Sequence, residues 1–324
     1  MRRAASSVLV IWLVLSVTFF LIRAAPGGPS ALLEDEHVAP GDQRDVIASL
    51  GLDHGWATQY VHWLTAALRG RMGTSFTYGK PVERVLASHL PASLLLGSSA
   101  LLFGFGLGIL LALSIAPYAA SVLDRVTGFV SLVVYSLPHF WLGMMAILLL
   151  SYAFPLLPAG HMHSAASPGS ADGINALAST LDRLRHLALP TVVLGAPLAA
   201  AVFRLLRSSM IEALSSDYIR TARSKGIPRQ RVLTIHACYS ALPSVIQLLG
   251  LSLPVFLSGL LVTEVVFSWP GLGRLTHTAM LSRDYPLALG ATTFTSVLVV
   301  LGSLVADVLH ASIDPRLRTP FDAE

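Results

Sequence analysis

The segment "DYIRTARSKGIPRQRV" (residues 217–232) sets five cations, Arg220, Arg223, Lys225, Arg229 and Arg231, against a single anion, Asp217. The chain around it is oily. Of its 324 residues 54% are hydrophobic and only 12% are charged, where a soluble domain carries roughly 25% charged residues. A mean hydropathy of +0.67 makes a bilayer the expected solvent. The formal net charge of +4 is small, so the cations matter by position. A nucleic-acid binder needs a basic surface on a polar body, and this composition excludes one. Cys238 is the only cysteine, which rules out an internal disulfide and a multi-cysteine metal site.

Working outward from the basic segment, the hydropathy predicts an all-α membrane protein with six spans. A spanning helix needs about 20 apolar residues. Such stretches lie at residues 5–22, 92–116, 126–152, from Leu187 to about 206, 243–267 and 287–311. The first follows Arg2 and Arg3, and its apolar core exceeds the ~7–15 residues of a signal peptide, so a retained anchor is expected. The second is rich in glycine (Gly97, Gly104, Gly106, Gly108), which suits close helix packing in lipid. Three regions result: residues 1–23, an extracytoplasmic insert at 24–91, and a transmembrane domain at 92–324. The insert holds six acids between Glu34 and Asp53. It also holds an amphipathic helix over 59–70, with Tyr60, Trp63, Leu64, Ala67 and Leu68 on one face.

Short loops near span ends carry excess Lys and Arg on the cytoplasmic side. With six spans and the N-terminus inside, residues 204–236 fall inside. They carry seven cations against two acids, Glu212 and Asp217. Arg316 and Arg318 of the tail fall inside as well, whereas the outer loop at 153–186 has two cations and two acids and no bias. The cations serve as a topology signal, and contact with anionic headgroups would account for charge alone. The pattern within the segment asks for more. Leu206, Met210, Leu214, Tyr218 and Ala222 recur every four residues and predict one helical face. Gly226 can end that helix with a positive φ, and Pro228 suits the first turn of the next. Two helices meeting at a sharp corner fit a docking element for a soluble partner.

"YIRTARSKGIPRQRVLTIHA" resembles the cytoplasmic loop of permease subunits in binding-protein-dependent ABC importers, of the dipeptide/oligopeptide/nickel branch. The likeness continues through "LGLDHGWATQYVHWLTAALRGRMGTSFTYGKPV", "LPHFWLGMMAILLL" with "LLPAG", "VVFSWPGLGRLTHTAMLSRDYPLALG" and "ASIDPRLR". The general permease signature, Glu-Ala-Ala, three residues, then Gly, reads here as Arg220, Thr221, Ala222 and Gly226, so only Ala222 and Gly226 match it. The resemblance implies a multi-pass protein of the bacterial inner membrane with both termini cytoplasmic. A coupling loop at about 207–236 would present Asp217, Tyr218, Arg220, Thr221, Ala222, Lys225, Gly226 and Pro228 to an ATPase subunit. It implies as partners a second homologous permease, two ATPase subunits, a periplasmic or lipid-anchored binding protein, and membrane lipid. ATP and Mg would belong to the ATPases, with no cofactor on this chain. The chain has no GxxxxGK[ST] loop and is expected to be a non-catalytic transport subunit. The implied cargo is di- or oligopeptides. Nickel or a metal chelate is the alternative within the branch, and a membrane scaffold or receptor using the basic loop is the alternative outside it.

Further residues keep two readings each. Glu264 and Asp307 fall in or at the ends of spans, where carboxylates line a pore or gate or are solvated at an interface. Trp269, Pro270 and Gly271 form either an interfacial tryptophan with a turn or, by resemblance, an outer gate or docking rim. His161 and His163 could share a transition metal, but solvated loop histidines are the plainer reading and no metal site is expected. His139 beside Phe140 and Trp141 reads as a packed membrane histidine. No GxSxG or HExxH context supports a hydrolase.

Overall fold

The computed structural model describes residues 2–24, 55–163 and 176–313. The acidic run Glu34–Asp53, Arg316 and Arg318 lie outside those residues, as do the side chains of Arg2, Arg3 and Asp307. Ten helices carry the described chain: α1 Arg2–Ala24, α2 Trp56–Leu68, α3 Val82–Ile115, α4 Val122–Ser136, α5 His139–Ile147, α6 Ala176–Leu214, α7 Asp217–Ser224, α8 Cys238–Val266, α9 Leu272–Leu281 and α10 Tyr285–Ile313. Helical turns at Ala116–Tyr118, Leu148–Ala153, Arg229–Arg231 and Val232–Ala237 extend or join them. Three stretches are long and apolar enough to cross a bilayer, Val82–Tyr118, Ala178–Leu214 and Tyr285–Val305. A fourth is added if the bent pair Val122–Ser136 and His139–Ala153 counts as one span. Val8–Ala24 and Phe256–Val266 are apolar but shorter. Among the described residues the count is therefore three or four, against the six expected from hydropathy.

The expected span at 126–152 is broken. Leu137 is extended, with ψ 136°, and Pro138 precedes α5. Proline crowds the backbone of the residue before it out of the α region, and the two arms diverge by 104°. By contrast, α6 runs 39 residues through Pro190 and Pro197. Such prolines are tolerated where neighbouring helices and local adjustment satisfy the freed backbone groups. α6 also starts well before Leu187, taking in part of the expected outer loop. Its C-terminal end corrects another expectation: the helix stops at Leu214, and Ser216 precedes a new helix, α7. The Ser216 hydroxyl donates to the Ala213 carbonyl at 2.5 Å, a local bond that competes with helical continuation.

The chain divides into two compact units. One comprises Met1–Pro91 and Gly271–Val300; the other comprises Ala92–Pro270 and Leu301–Glu324. In the second, α3 and α6 approach backbone to backbone. A Cβ on Gly108 would lie 2.7 Å from the Ala199 carbonyl, and one on Gly195 would lie 2.8 Å from the Ala100 carbonyl. This is the close packing expected of small residues in lipid. Gly106 has open space and takes no part. Leu96, Ala100, Leu194, Leu198, Val202 and Phe203 fill the core around that contact. Large apolar side chains on α4, including Val122, Val126 and Phe129, stay exposed, as a lipid-facing surface should.

In the first unit, Phe19 meets Tyr60 and Trp63 in ring contacts of 5.4 and 5.3 Å, and the Ser16 and Tyr60 hydroxyls are 2.6 Å apart. α2 thus packs on α1 through Tyr60 and Trp63; Leu64 and Ala67 are half-buried, while Leu68 is 79% exposed and leaves the expected face. Its helix ends at Leu68, because Gly70 has φ 73°. A tight loop follows, closed by a bridge between Thr74 and Pro81. Buried Asp284 grips it: Oδ2 accepts from Ser75 Oγ at 2.5 Å and Thr77 N at 3.0 Å, while Oδ1 caps α10 through Leu287 N at 3.1 Å. Asp284→Ala would orphan these donors and remove the cap, destabilising this unit by about 1–3 kcal/mol. The expected result is a lowered thermal midpoint in detergent with earlier proteolysis at residues 75–80. Asp284→Asn, which keeps acceptor capacity, should lose less.

Candidate functional site

The corner at 217–228 is built by a Schellman termination. α7 ends at Ser224; Gly226 N–H donates to the Arg223 carbonyl at 3.0 Å and Ile227 N–H to the Ala222 carbonyl at 3.4 Å. Gly226 has φ 76° and nothing within 4 Å of where a Cβ would sit. Pro228 is extended and precedes the turn Arg229–Arg231, one position earlier than the first helical turn expected for it. Ile219 and Ala222 are buried in the core with Leu206 and Met210. The break at Leu214 shifts the register, so Tyr218 leaves the predicted face. It is 47% exposed, and its hydroxyl lies 2.9 Å from Ser240 Oγ.

What this corner shows to solvent is polar and cationic. Asp217, Arg220, Thr221, Arg223, Lys225, Gly226 and Pro228 are all exposed. Arg220 approaches Asp217 at 3.6 Å, both side chains being over three-quarters exposed, a pairing that contributes little. The Thr221 hydroxyl returns a bond to the Asp217 carbonyl. The arrangement is a short helix held from beneath by Ile219 and Ala222, with its outer face free of large apolar groups except Tyr218.

The second group of predicted residues lies at the end of α8. Glu264 is fully buried rather than solvated, and its Oε1 accepts from Ser93 Oγ at 2.6 Å. Trp269 is also fully buried, which removes the interfacial reading. Its Nε1–H donates to the Ala92 carbonyl at 2.8 Å, and its backbone N–H donates to the Glu264 carbonyl at 2.9 Å. Ser268 between them holds φ 51°. The turn 160–163 docks on the same place: His161 N–H donates to the Phe267 carbonyl at 2.8 Å, with His161 itself at φ 66°. Two non-glycine residues in left-handed backbone mark a strained, over-determined turn. Pro270 is half-buried, and Gly271 is buried in front of α9, its carbonyl accepting from Leu275 N–H at 3.0 Å.

Among the described residues no group of three metal-ligating side chains occurs, and His161 is held by its backbone. His139 packs against Gly259, whose added Cβ would sit 3.0 Å from the imidazole Nε2. Sequence reasoning missed four positions that the geometry brings out: Ser93, Asp124, Ile219 and Asp284. Asp124 had a legible signal. Ser121 stands three residues ahead of it before an apolar run, the spacing of a capping box, and Ser121 Oγ accepts from Asp124 N at 3.2 Å.

Long apolar helices able to cross a bilayer and an exposed cationic corner are the features of a membrane protein. Comparison with known families makes that specific. Residues 104–319 match the binding-protein-dependent transport system inner membrane component family, and residues 1–97 match the N-terminal region of the same kind of component. The chain belongs to this family. It is 35% identical over 318 residues to the oligopeptide transport system permease protein AppB of Bacillus subtilis, covering 98% of each. It is 33% identical over 320 residues to the dipeptide transport system permease protein DppB of Escherichia coli, covering 93% of each. It is 34% identical over 312 residues to the di/tripeptide transport system permease protein DppB of Pseudomonas aeruginosa, again covering 93% of each.

Trp269→Phe keeps most of the buried ring volume but removes the Nε1 donor. It should cost about 1–3 kcal/mol by leaving the Ala92 carbonyl short of a partner in a buried site. Chemical unfolding in detergent would measure this, and an unchanged midpoint would show that the bond contributes nothing.

Proposed function

We propose that this chain is one of two permease subunits of an importer that moves di- or oligopeptides across the bacterial inner membrane. The observation that carries the reading is its similarity, over 93–98% of its length, to three permeases named for peptide transport. In this reading the chain crosses the membrane six times with both termini cytoplasmic. Residues 1–23 are the first span, 24–91 the extracytoplasmic insert and 92–324 the transmembrane domain. The exposed helix α7 and the corner at Gly226 enter a groove on an ATPase subunit, and a second ATPase serves the partner permease. ATP and Mg are bound and consumed there. A periplasmic or lipid-anchored binding protein delivers cargo to the outer side.

The physical support is local. α7 is held on the core by Ile219 and Ala222, so force on its outer face is passed to α6 and α8 rather than dissipated by rotation of a loose loop. Its exposed cations suit a groove lined by carboxylates. Glu264, Trp269, Pro270 and Gly271 would serve at the outer gate. Trp269 and Glu264 are locked by hydrogen bonds to Ala92 and Ser93, so opening there requires exchanging defined bonds.

The test is reconstitution of the chain in vesicles with its partner permease, ATPases and binding protein. Uptake and ATP hydrolysis are followed with alanyl-alanine, longer alanine peptides, nickel and nickel chelates. Peptide-stimulated hydrolysis with uptake is expected. Stimulation by nickel species alone would move the cargo to metal, and absence of any ATPase association would leave a scaffold or receptor. Gly226 gives an internal control. Any L side chain there meets the same left-handed strain of roughly 1–2 kcal/mol. The bulk of Gly226→Trp should abolish transport while Gly226→Ala retains a substantial fraction, with both variants reaching the membrane. Equal transport by the two would remove the docking role.

A further inference from the structure

Seven cations lie between Arg204 and Arg231, and three of them turn away from the outer face of α7. Arg207 forms a two-pronged pair with Asp124: Nε donates to Oδ1 and Nη2 to Oδ2. Arg229 donates to the Pro117 carbonyl at 3.3 Å and lies 5.7 Å from the centre of the Tyr118 ring. Arg204 lies over the Tyr135 ring at 5.8 Å. All four partner residues sit on the connection between α3 and α4 or on α4 itself. A topology signal needs none of these contacts.

Position makes the set informative. Arg207 is two helical turns before α6 ends, and Arg229 is the first residue of the helical turn beyond the corner. The two arginines therefore flank α7 in sequence, and both bond to one turn, residues 117–124. Asp124 is 4% exposed and holds that turn as well as receiving Arg207. Its Oδ2 accepts from Ala120 N–H at 2.9 Å, fixing Ala120 at φ 67°. The turn leads into α4, and α4 ends at the 104° bend before α5. Residues on either side of α7 in sequence are thus tied by charge-assisted, directional bonds to the near arm of the broken span.

We propose that the 117–124 turn relays motion of the α7 corner to the bent α4–α5 pair, with Asp124 and Arg207 as its positioning residues. This rests on the permease reading above. It assigns Asp124 a part in coupling, separate from ATPase docking and from cargo contact.

The experiment is the ratio of peptide taken up to ATP hydrolysed in the reconstituted complex, with alanyl-alanine as the probe. Asp124→Asn keeps an acceptor for Ala120 but loses the charge; Arg207→Lys keeps the charge but loses the fork. Both should assemble, continue to hydrolyse ATP and show a ratio at least tenfold below wild type, and Asp124→Glu should recover most of it. A structural role alone would lower assembly, hydrolysis and uptake together and leave the ratio unchanged, which overturns the proposal. If the buried variants fail to assemble, Arg229→Gln, at an exposed side chain, decides: a lowered ratio supports the relay and a wild-type ratio overturns it. A wild-type complex that shows no ATP-driven peptide uptake removes the permease reading itself, and the relay falls with it.

Discussion

A peptide group in hydrocarbon has no water to bond, so each N–H and C=O must find its partner within the protein. That constraint governs this molecule. It makes the described chain a set of helices, lets α6 run 39 residues through two prolines, and forces irregular backbone to be secured wherever it occurs. The breaks are where the constraint is most visible. The α6–α7 break is stitched by Ser216, the α7 end by a Schellman pair, the turn before α4 by Asp124 and Ser121, and the loop after α2 by Asp284. Each of these four interruptions carries its own polar closure, whereas the Leu137–Pro138 break has no side-chain cap.

Packing then follows from the absence of a hydrophobic force between helices in lipid. Contact must come from shape, and the α3–α6 contact uses glycine to bring the backbones together. Apolar bulk goes outward instead, as on α4, where Phe129 and Val122 are exposed. Among the described residues most buried positions hold smaller or aliphatic groups, with Trp269, Phe19, Phe203 and Phe267 the largest side chains that are fully buried. Trp269 is accommodated because its one polar atom finds the Ala92 carbonyl.

How much of this was legible in the sequence depends on the range of the interaction. Hydropathy located most of the long helices, since burial in lipid is summed over about 20 residues and survives local error. Gly226 was readable as a helix stop because its cause is its own backbone. The bend at Pro138 was equally local, yet it was submerged in an apolar run read as one span. The shift of face at α7 was hidden because a four-residue spacing continued smoothly across Ser215 and Ser216. Long-range polar pairs were beyond reach: Ser75 with Asp284, Ser93 with Glu264 and Asp124 with Arg207 are separated by 209, 171 and 83 residues. Nothing in the local pattern of either partner names the other. Asp124 could have been found as a cap and still not as the seat of an arginine.

The bond between Ser75 and Asp284 also sets an order of events at the ribosome. The unit containing residues up to Pro91 is completed by Gly271–Val300, and Val82, Val85 and Leu86 find Leu272, Leu275 and Leu287 only there. While the intervening segment is being made, the loop after α2 has been translated without the carboxylate that secures it. Its burial waits for the C-terminal part of the chain, so a nascent protein interrupted before Asp284 carries an unsealed first unit. The last part of the chain to be made thus supplies the acceptor that closes a loop made long before it.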